Sequence, residues 1–398
     1  MREVSKSSFY QRLVGSNWKS VWIFGFRKAS TFAVQCYKCA LKISKVGSSM
    51  ANSIEIAGRK IGPQHAPYMI AEMSGNHNGD IGRAYALIEA AKEAGADAVK
   101  LQTYTADTIT IDHDSPEFKI NGGLWDGRTL YELYNEAHTP WSWHERLFQK
   151  ASDLGIAIFS SPFDPTAVDL LMSLNAPAYK IASFELVDIP LIEKVASAGK
   201  PMILSTGLAN LGEIHEAITA VRNAGVSDFV VLHCISSYPA PADNSNLLTM
   251  PHLGQTFDVL TGLSDHTRGT PVSVAATALG ASVIEKHMTL KRADGGPDAA
   301  FSLEPDEFKM LVDDCKMAWQ ALGKINYEIK SAEEGNKTFR RSLYVTKDIA
   351  VGEAFTEDNV RSIRPGNGLA PKELSKVLGR KATESISRGT PLSWKLFS

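Results

Sequence analysis

The chain has 398 residues, of which 44% are hydrophobic and 22% are charged, so it is long enough for a barrel-sized domain and a smaller second domain. The formal net charge of -2 gives no basis for nucleic-acid binding, and no apolar run approaches the roughly 18 residues that a membrane span needs. Four cysteines are too few for a disulfide scaffold and indicate a reducing cytoplasm.

The first 49 residues differ from the rest in charge. They contain nine Lys or Arg residues and a single acid, Glu3. This composition is typical of a transit peptide or a membrane-surface helix, and a start assigned upstream of the true one, Met50, is the alternative. The CxxC of Cys36 and Cys39 has no second ligand pair, and we interpret it as incidental. We expect residues 1–49 to form a poorly ordered extension.

From residue 68 the sequence alternates short apolar runs, typical of buried parallel strands, with helical stretches such as 81–94 and 141–154. Eight βα units predict a closed (β/α)8 barrel. A doubly wound open sheet is the alternative, but it needs a glycine-rich nucleotide loop that Ser74–Gly79 does not match. The eight runs are Tyr68–Glu72, Ala98–Gln102, Ile156–Ser160, Ala178–Ile181, Met202–Ser205, Phe229–His233, Val259–Leu263 and Ala281–Ile284.

The pattern changes after a predicted helix over 305–322. Residues 331–337 are polar and linker-like, and the segments from Phe339 onwards are short and rich in turns. This predicts a compact β-rich module of about 60 residues. The predicted domains are therefore an extension over 1–49, a barrel over 50–330 and the β-rich module over 331–398.

His266 and His287 follow the last two predicted strands of the barrel. Side chains at the C-terminal ends of barrel strands face the active-site mouth. Two neutral imidazoles that converge there could bind a divalent metal and leave positions open for water and substrate. A single buried histidine is more often an ordinary hydrogen-bonded core residue, but the equivalent positions of these two favour the metal site.

Lys100 and Lys180 lie inside or at the end of apolar strands, together with strand-end hydroxyls such as Ser161. This combination predicts a site for a phosphate or a carboxylate. A buried lysine needs a partner charge, and Glu72 could be that partner or a general base. A Schiff-base aldolase that uses Lys180 is a rival interpretation. That reaction needs no metal, so the two-histidine arrangement counts against it. A scaffold barrel with a C-terminal binding module is the non-enzymatic alternative.

Several motifs together resemble the sialic acid synthase family over about residues 53–398. That family implies a barrel followed by an antifreeze-like (SAF) domain, and the condensation of phosphoenolpyruvate with an acetamido sugar. The motifs are Ile70–Asn78, Lys100–Thr103, Pro177–Ser183, Leu204–Gly207, Gly262–Thr267 and Arg364–Gly368.

Within the family, Ala71–Gly75, Thr103–Thr108, Arg292–Asp298 and Phe339–Tyr344 are most similar to the branch that makes pseudaminic acid. The sugar of that branch is 2,4-diacetamido-2,4,6-trideoxy-L-altrose, and the N-acetylneuraminate and legionaminate branches remain alternatives. Ser236 replaces an asparagine of the neuraminate branch, which puts the phosphate contact at that position in question.

The resemblance also implies a role for individual residues. His266 and His287 would hold Mn2+ or Mg2+, Glu72 would be the leading acid or base, and Asp298 would lie near the sugar. Arg364 would reach the barrel of the partner in a domain-swapped homodimer. The implied phosphoenolpyruvate contacts are Lys100, Lys180, Ser183, Ser205 and Ser264, and the implied sugar contacts are Gln102, Tyr238 and Glu285.

Overall fold

The computed structural model describes residues 53–398, so the predicted extension over 1–49 lies outside the described residues. The chain divides into two compact units between Gly323 and Lys324. The boundary predicted from the sequence, between residues 330 and 331, stays a prediction. Within residues 53–398, no helix is both long enough and apolar enough to cross a bilayer.

The first unit is a closed barrel of eight parallel strands, which confirms the predicted fold class. Each strand pairs with the next along the chain, and the last, β10, pairs with β3. Nearly every residue of these strands is buried, as expected when helices cover the outside of a parallel sheet. The strands of the described residues are β1 (Ile54–Ile56), β2 (Arg59–Ile61), β3 (Tyr68–Glu72), β4 (Ala98–Thr103), β5 (Ala157–Pro162), β6 (Tyr179–Ile181), β7 (Met202–Ser205), β8 (Phe229–Cys234), β9 (Leu260–Asp265), β10 (Val283–His287), β11 (Ser342–Val345) and β12 (Val360–Ile363).

Helices connect the barrel strands, and several begin at residues that the sequence provides for that purpose. Asp80 caps the first helix by accepting a hydrogen bond from the backbone N–H of Gly82. Thr129 and Glu132 form a capping box at another. The α-helices of residues 53–398 are α1 (Ile81–Glu93), α2 (Ala106–Ile109), α3 (Leu130–Ala137), α4 (His144–Leu154), α5 (Pro165–Ser173), α6 (Ile189–Ala196), α7 (Leu211–Asn223), α8 (Thr249–Phe257), α9 (Pro271–Ala278), α10 (Pro305–Leu322) and α11 (Leu374–Val377).

A hairpin of β1 and β2 lies at the end of the barrel where the strands begin. Ile54, Ile56 and Ile61 of this hairpin are buried in one apolar cluster with Tyr68 and Val283, the first residues of β3 and β10. This packing closes the N-terminal end of the barrel. The polar side chains at the ends of the strands lie at the opposite end of the barrel.

The last two barrel strands extend further than their apolar runs suggested. β9 continues through Ser264 and Asp265, and β10 includes Glu285, Lys286 and His287. Their polar residues pair with neighbouring strands, since His287 lies opposite Glu72 in the register of β10 and β3. Barrel closure supplies these backbone partners, so the strands continue into sequence that looks like a loop.

The second unit is a small β-containing module with its own apolar core. β11 and β12 pair antiparallel, with Ser342 opposite Ile363. Leu343, Phe355 and Val377 are fully buried in its core. The polar stretch before β11 forms an exposed 3-10 segment, Ser331–Phe339.

Candidate active site

Four charged side chains from four strands meet inside the C-terminal end of the barrel. The Lys100 Nζ lies 2.6 Å from Glu72 Oε2 and 3.6 Å from Glu285 Oε1. The Lys180 Nζ donates to both Glu285 oxygens, at 2.9 and 3.0 Å. All four side chains are almost fully buried, and each charge has an opposite partner. Two lysines and two glutamates balance in charge, so burial of the cluster costs less free energy than burial of an unpaired charge.

The two carboxyls of this cluster are not equivalent. Burial raises the pKa of Glu72, because Lys100 only partly offsets the loss of solvent and Glu285 opposes its ionisation. Burial acts on Glu285 in the same direction, but the charges of Lys100 and Lys180 outweigh it and hold the pKa of Glu285 well below its usual range. Glu285 is therefore the permanent anion, and Glu72 is the carboxyl better suited to hold and release a proton.

His266 and His287 converge beside this cluster. Their ring centroids are 5.3 Å apart, and both residues are buried. The Nδ1 of His266 lies 2.9 Å from the carbonyl oxygen of Ile235, which can only accept, so Nδ1 carries a proton. Burial lowers the pKa of His266, but the neighbouring Cys234 sulfur outweighs burial and raises it. The Nδ1 of His287 is buried and has no hydrogen-bond partner among the described residues. Burial, reinforced by nearby positive charge, lowers the pKa of His287 well below its usual range, so this ring is neutral.

These two imidazoles fit a divalent metal as part of a shared ligand set. A carbonyl that fixes the tautomer of one ring, and an unpartnered buried nitrogen on the other, are features of metal-binding histidines. Residues 53–398 contain no group of three or more His, Cys, Asp or Glu side chains arranged to hold a metal ion. An ion on these two rings would therefore take its other ligands from water and substrate oxygens.

Buried serine hydroxyls lie at the same end of the barrel as the two lysines. Ser161 Oγ lies 3.3 Å from the Lys100 Nζ, and Ser264 Oγ donates to Glu285 at 3.3 Å. The Oγ of Ser205 is buried without a hydrogen-bond partner in the described part of the chain. Such hydroxyls are suited to donate hydrogen bonds to the oxygens of a phosphate or carboxylate.

Gly207 lies where the loops after β6, β7 and β8 meet. Its backbone N–H donates to Ser183 Oγ at 3.2 Å. A Cβ at this position would lie 2.1 Å from Ser236 Oγ and 2.8 Å from Ser183 Oγ, so only glycine lets both serines approach. The arrangement brings Ser183 and Ser236, both expected at the site, to one point, and it explains the glycine.

A cavity of about 700 Å³ opens above these groups and is lined by Gln102, Tyr238, His287 and Asp298. The Gln102 amide donates to Glu72 at 3.0 Å. The Tyr238 ring lies 4.4 Å from the ring of His266, measured between centroids. This volume lies within the range of small-molecule sites.

Asp298, which follows β10, is held at the edge of this cavity by groups that follow the neighbouring strand β3. Ser74, whose φ is +47°, donates its hydroxyl to Asp298, and the Gly75 N–H lies 3.4 Å from the same oxygen. Burial raises the pKa of Asp298, although these two hydrogen bonds oppose the shift. The positive φ of Ser74 is a strained conformation that the contact with Asp298 helps to maintain.

Arg364 belongs to the second unit, where it directly follows β12 and is exposed to solvent. The other residues expected at the site lie in the first unit, at or near the ends of the barrel strands. The expected role of Arg364 stays a prediction.

The structure adds residues that the sequence reasoning missed. Glu185 lines the cavity, its Oε2 is buried without a partner among residues 53–398, and burial raises its pKa to about 7. Its place two residues after Ser183 was the available signal. Leu124 and Trp125 also line the cavity. They lie in a long loop after β4, and no strand-end pattern points to them.

Two family models match the chain. The NeuB family model matches residues 87–327, and the SAF domain model matches residues 340–398.

Curated relatives and solved structures agree with these matches. Pseudaminic acid synthase from Helicobacter pylori is 47% identical over 82% of this chain and 96% of that protein. N,N'-diacetyllegionaminic acid synthase from Campylobacter jejuni is 40% identical over 80% of this chain and 96% of that protein. The crystal structure of an N-acetylneuraminic acid synthetase from Leptospira borgpetersenii, in complex with citrate, superposes with a TM-score of 0.65 at 30% identity. It covers 73% of this chain and 96% of the other.

Proposed function

Because this chain belongs to the NeuB family and ends in a SAF domain, we propose that it condenses phosphoenolpyruvate with 2,4-diacetamido-2,4,6-trideoxy-L-altrose and water to give pseudaminic acid and phosphate. The observation that carries the proposal is the buried Lys–Glu cluster beside two converging histidines, in the mouth of a barrel that has the family's fold. The choice of sugar rests on the higher identity to the pseudaminic than to the legionaminic relative.

Phosphoenolpyruvate is the substrate that suits the polar floor of the cavity. Lys100 and Lys180 would offset its charge, while the hydroxyls of Ser183, Ser205 and Ser264 would donate hydrogen bonds to its oxygens. The buried cluster is already neutral, so a substrate trianion would bring uncompensated negative charge into the barrel. Protonation of Glu72, which its raised pKa favours, would release Lys100 from its ion pair and make that charge available.

The proposed resident ion is Mn2+ or Mg2+, held by His266 and His287. When bound, it would supply a Lewis acid that polarises the aldehyde oxygen of the open-chain sugar. Its positive charge would also balance the incoming phosphate and carboxylate. The support for it is the convergence of the two buried imidazoles, with the Nδ1 proton of His266 directed at a carbonyl and the Nδ1 of His287 left without a partner among the described residues.

Glu72 is the proton carrier in the proposed reaction. C3 of phosphoenolpyruvate attacks the aldehyde carbon, a carbon–carbon bond forms, and Glu72 gives its proton to the aldehyde oxygen. Water then adds to the electron-poor C2 and returns a proton to Glu72. The tetrahedral intermediate loses phosphate by cleavage of its C–O bond, and the C2 hydroxyl proton leaves with the phosphate. Gln102 holds Glu72 in place through its amide hydrogen bond of 3.0 Å.

Lys180 acts here as a cation and not as the nucleophile of a Schiff-base aldolase. Burial lowers the pKa of Lys180, but the contacts of its Nζ with both oxygens of Glu285 oppose that shift and support the protonated form. Borohydride reduction with substrate present should leave the enzyme active and its mass unchanged. A substrate adduct on Lys180 would restore the aldolase interpretation.

A panel of sugars tests the reaction. The full chain is incubated with phosphoenolpyruvate, Mn2+ or Mg2+, and one of three sugars: the altrose derivative, N-acetylmannosamine or the legionaminate precursor. Phosphate release with the altrose derivative alone supports the proposal. Release with only one of the other two would move the chain to that branch, and release with none would contradict a synthase activity.

The metal site is tested by binding as well as by turnover. His266→Ala should remain folded but bind Mn2+ more than about 10-fold more weakly in a calorimetric titration. The matched control is His252→Ala, which removes an exposed histidine of α8 and should bind as the unchanged chain does. Equal Mn2+ affinity in both variants, or full activity in chelator, would remove the metal from the proposal.

A further inference from the structure

The cavity of the proposed active site has two chemically different sides. Its floor carries polar groups such as Gln102, His287 and Asp298, whereas one wall is apolar and aromatic. Most of that wall comes from the segment between β4 and α4, which includes the short helices α2 and α3. The apolar and aromatic residues of the wall include Tyr104, Ile120, Leu124, Trp125 and Leu133.

Residues 119–129 of this segment form a hairpin, which we name the mouth hairpin. Lys119 pairs with Thr129, and Ile120 N–H donates to the Arg128 carbonyl at 2.8 Å. Gly127 N–H closes the hairpin on the Ile120 carbonyl at 2.9 Å. A backbone held in this way presents Leu124 and Trp125 at its tip.

The tip contacts residues from two other segments that line the cavity. The indole N–H of Trp125 donates to the Pro297 carbonyl at 2.9 Å, in the loop after β10. The Trp125 ring also lies 5.7 Å from the ring of Tyr238, between centroids. These two contacts place the apolar tip over the cavity and next to Tyr238.

Tyr238 fixes the order of groups along the cavity. Between centroids, its ring lies 4.4 Å from that of His266, 6.3 Å from that of His287 and 5.7 Å from that of Trp125. A sugar whose aldehyde carbon lies at the histidines therefore extends past Tyr238 towards the mouth hairpin. Its last carbon, C6, is the atom farthest from the aldehyde.

We propose that Leu124 and Trp125 of the mouth hairpin select the sugar by contact with a methyl group at C6. The inference rests on the proposed function, whose sugar is deoxygenated at that carbon. An apolar wall gains free energy from a methyl group, and a hydroxymethyl group would lose water there without a hydrogen-bond partner. Among the described residues that line the wall, Leu124 offers an aliphatic surface and Trp125 offers an aromatic one.

A cycle of variants and substrates tests this selection. Leu124→Ala and Trp125→Phe are compared on the altrose derivative and on its 6-hydroxy analogue, 2,4-diacetamido-2,4-dideoxy-L-altrose. The unchanged chain should prefer the 6-methyl sugar by about 10-fold or more in kcat/KM. Leu124→Ala should lower kcat/KM for that sugar by about 5-fold and leave the analogue almost unaffected, so that the preference shrinks. Trp125→Phe should also reduce the preference for the 6-methyl sugar, because the hairpin tip loses its hydrogen bond to the Pro297 carbonyl.

The control is Ile111→Ala, which removes an exposed aliphatic side chain of the same segment that does not line the cavity. It should retain the preference, and the KM for phosphoenolpyruvate should be unchanged in all three variants. An unchanged preference in Leu124→Ala and Trp125→Phe, with the altrose derivative still a substrate, would overturn this inference alone. An unchanged chain that does not use the altrose derivative would overturn the proposed function as well.

Discussion

Glu72 and Glu285 are two glutamates in one cavity whose surroundings give them different properties. Glu285 contacts both buried lysines, whereas Glu72 contacts Lys100 and the Gln102 amide. Both carboxyls lose solvent, but only Glu285 gains enough positive charge to offset that loss. The number of lysine contacts thus determines which carboxyl carries a proton in the proposed reaction.

Glu185 provides a test of burial at the residue scale. Its folded pKa of about 7 lies above the usual value of 4.5, so the unfolded chain ionises this carboxyl first as the pH rises. The destabilisation of the folded state by ionisation of Glu185 is small below pH 4.5, grows between pH 4.5 and pH 7, and reaches its full value above pH 7. Glu185→Gln should therefore raise the free energy of unfolding by about 1–3 kcal/mol at pH 8.5 and by much less at pH 4.5.

Thermal or urea unfolding at the two pH values measures this difference. Glu216→Gln, which changes an exposed carboxyl of α7, is the control and should shift stability by less than about 0.5 kcal/mol at either pH. The same gain from Glu185→Gln at both pH values would show that ionisation of Glu185 is not its source.

At the scale of elements, β9 and β10 use their two faces for different tasks. Glu285 and His287 lie on the cavity side, while Lys286, between them, points the other way. The Lys286 Nζ lies 2.7 Å from Asp265 Oδ2, and the Asp265 carboxylate also accepts from Ser273 of α9 at 2.6 Å. This buried ion pair joins β9, which directly precedes His266, to β10 and to α9, so the outer face supports the geometry of the inner one.

Removal of Lys286 should be costly for this reason. Lys286→Met leaves the Asp265 carboxylate buried without its cation, and we expect the free energy of unfolding to fall by about 3–5 kcal/mol. Lys309→Met breaks an exposed pair with Asp313 on α10 and should cost less than about 1 kcal/mol. Asp265→Asn combined with Lys286→Met should recover part of the loss in urea unfolding. Equal small effects of the two lysine variants would mean that the buried pair does not hold the strands.

At the scale of the whole molecule, the first unit has one closed and one open barrel end. The apolar β1–β2 hairpin fills the end where the strands start, so the polar residues at the other end remain accessible to substrates. The second unit has a separate apolar core and carries Arg364 on its surface. We propose that this arginine completes the mouth of a partner chain in a homodimer, with its planar guanidinium bound to sugar oxygens.

Mixed dimers test the donation of Arg364. Arg364→Ala and His287→Ala chains should each be inactive alone and recover up to roughly a quarter of normal activity after subunit exchange. Half of the dimers are then mixed, and each mixed dimer has one mouth with both an intact barrel and an intact arginine. Arg361→Ala, an exposed arginine of β12, should remain active alone. No recovery on mixing would mean that Arg364 acts within its own chain or has no role at the site.

The sequence by itself determined the barrel and the end at which its polar groups collect. Apolar runs at strand length alternate with helices, and parallel strands finish at one rim, so Glu72, His266 and His287 were expected to face one mouth. The strands themselves extended further than predicted, because β10 finds backbone partners in β3 only when the barrel closes.

Only the tertiary structure decided which polar groups became partners and which loop residues lined the cavity. Lys180 pairs with Glu285 over a separation of 105 residues, and Ser74 with Asp298 over 224. Trp125 is held at the cavity by a hydrogen bond to the distant Pro297 carbonyl, and Glu185 lines the same cavity. Periodicity is a local property that a sequence displays directly, whereas these contacts depend on distances between segments that exist only after the barrel has closed.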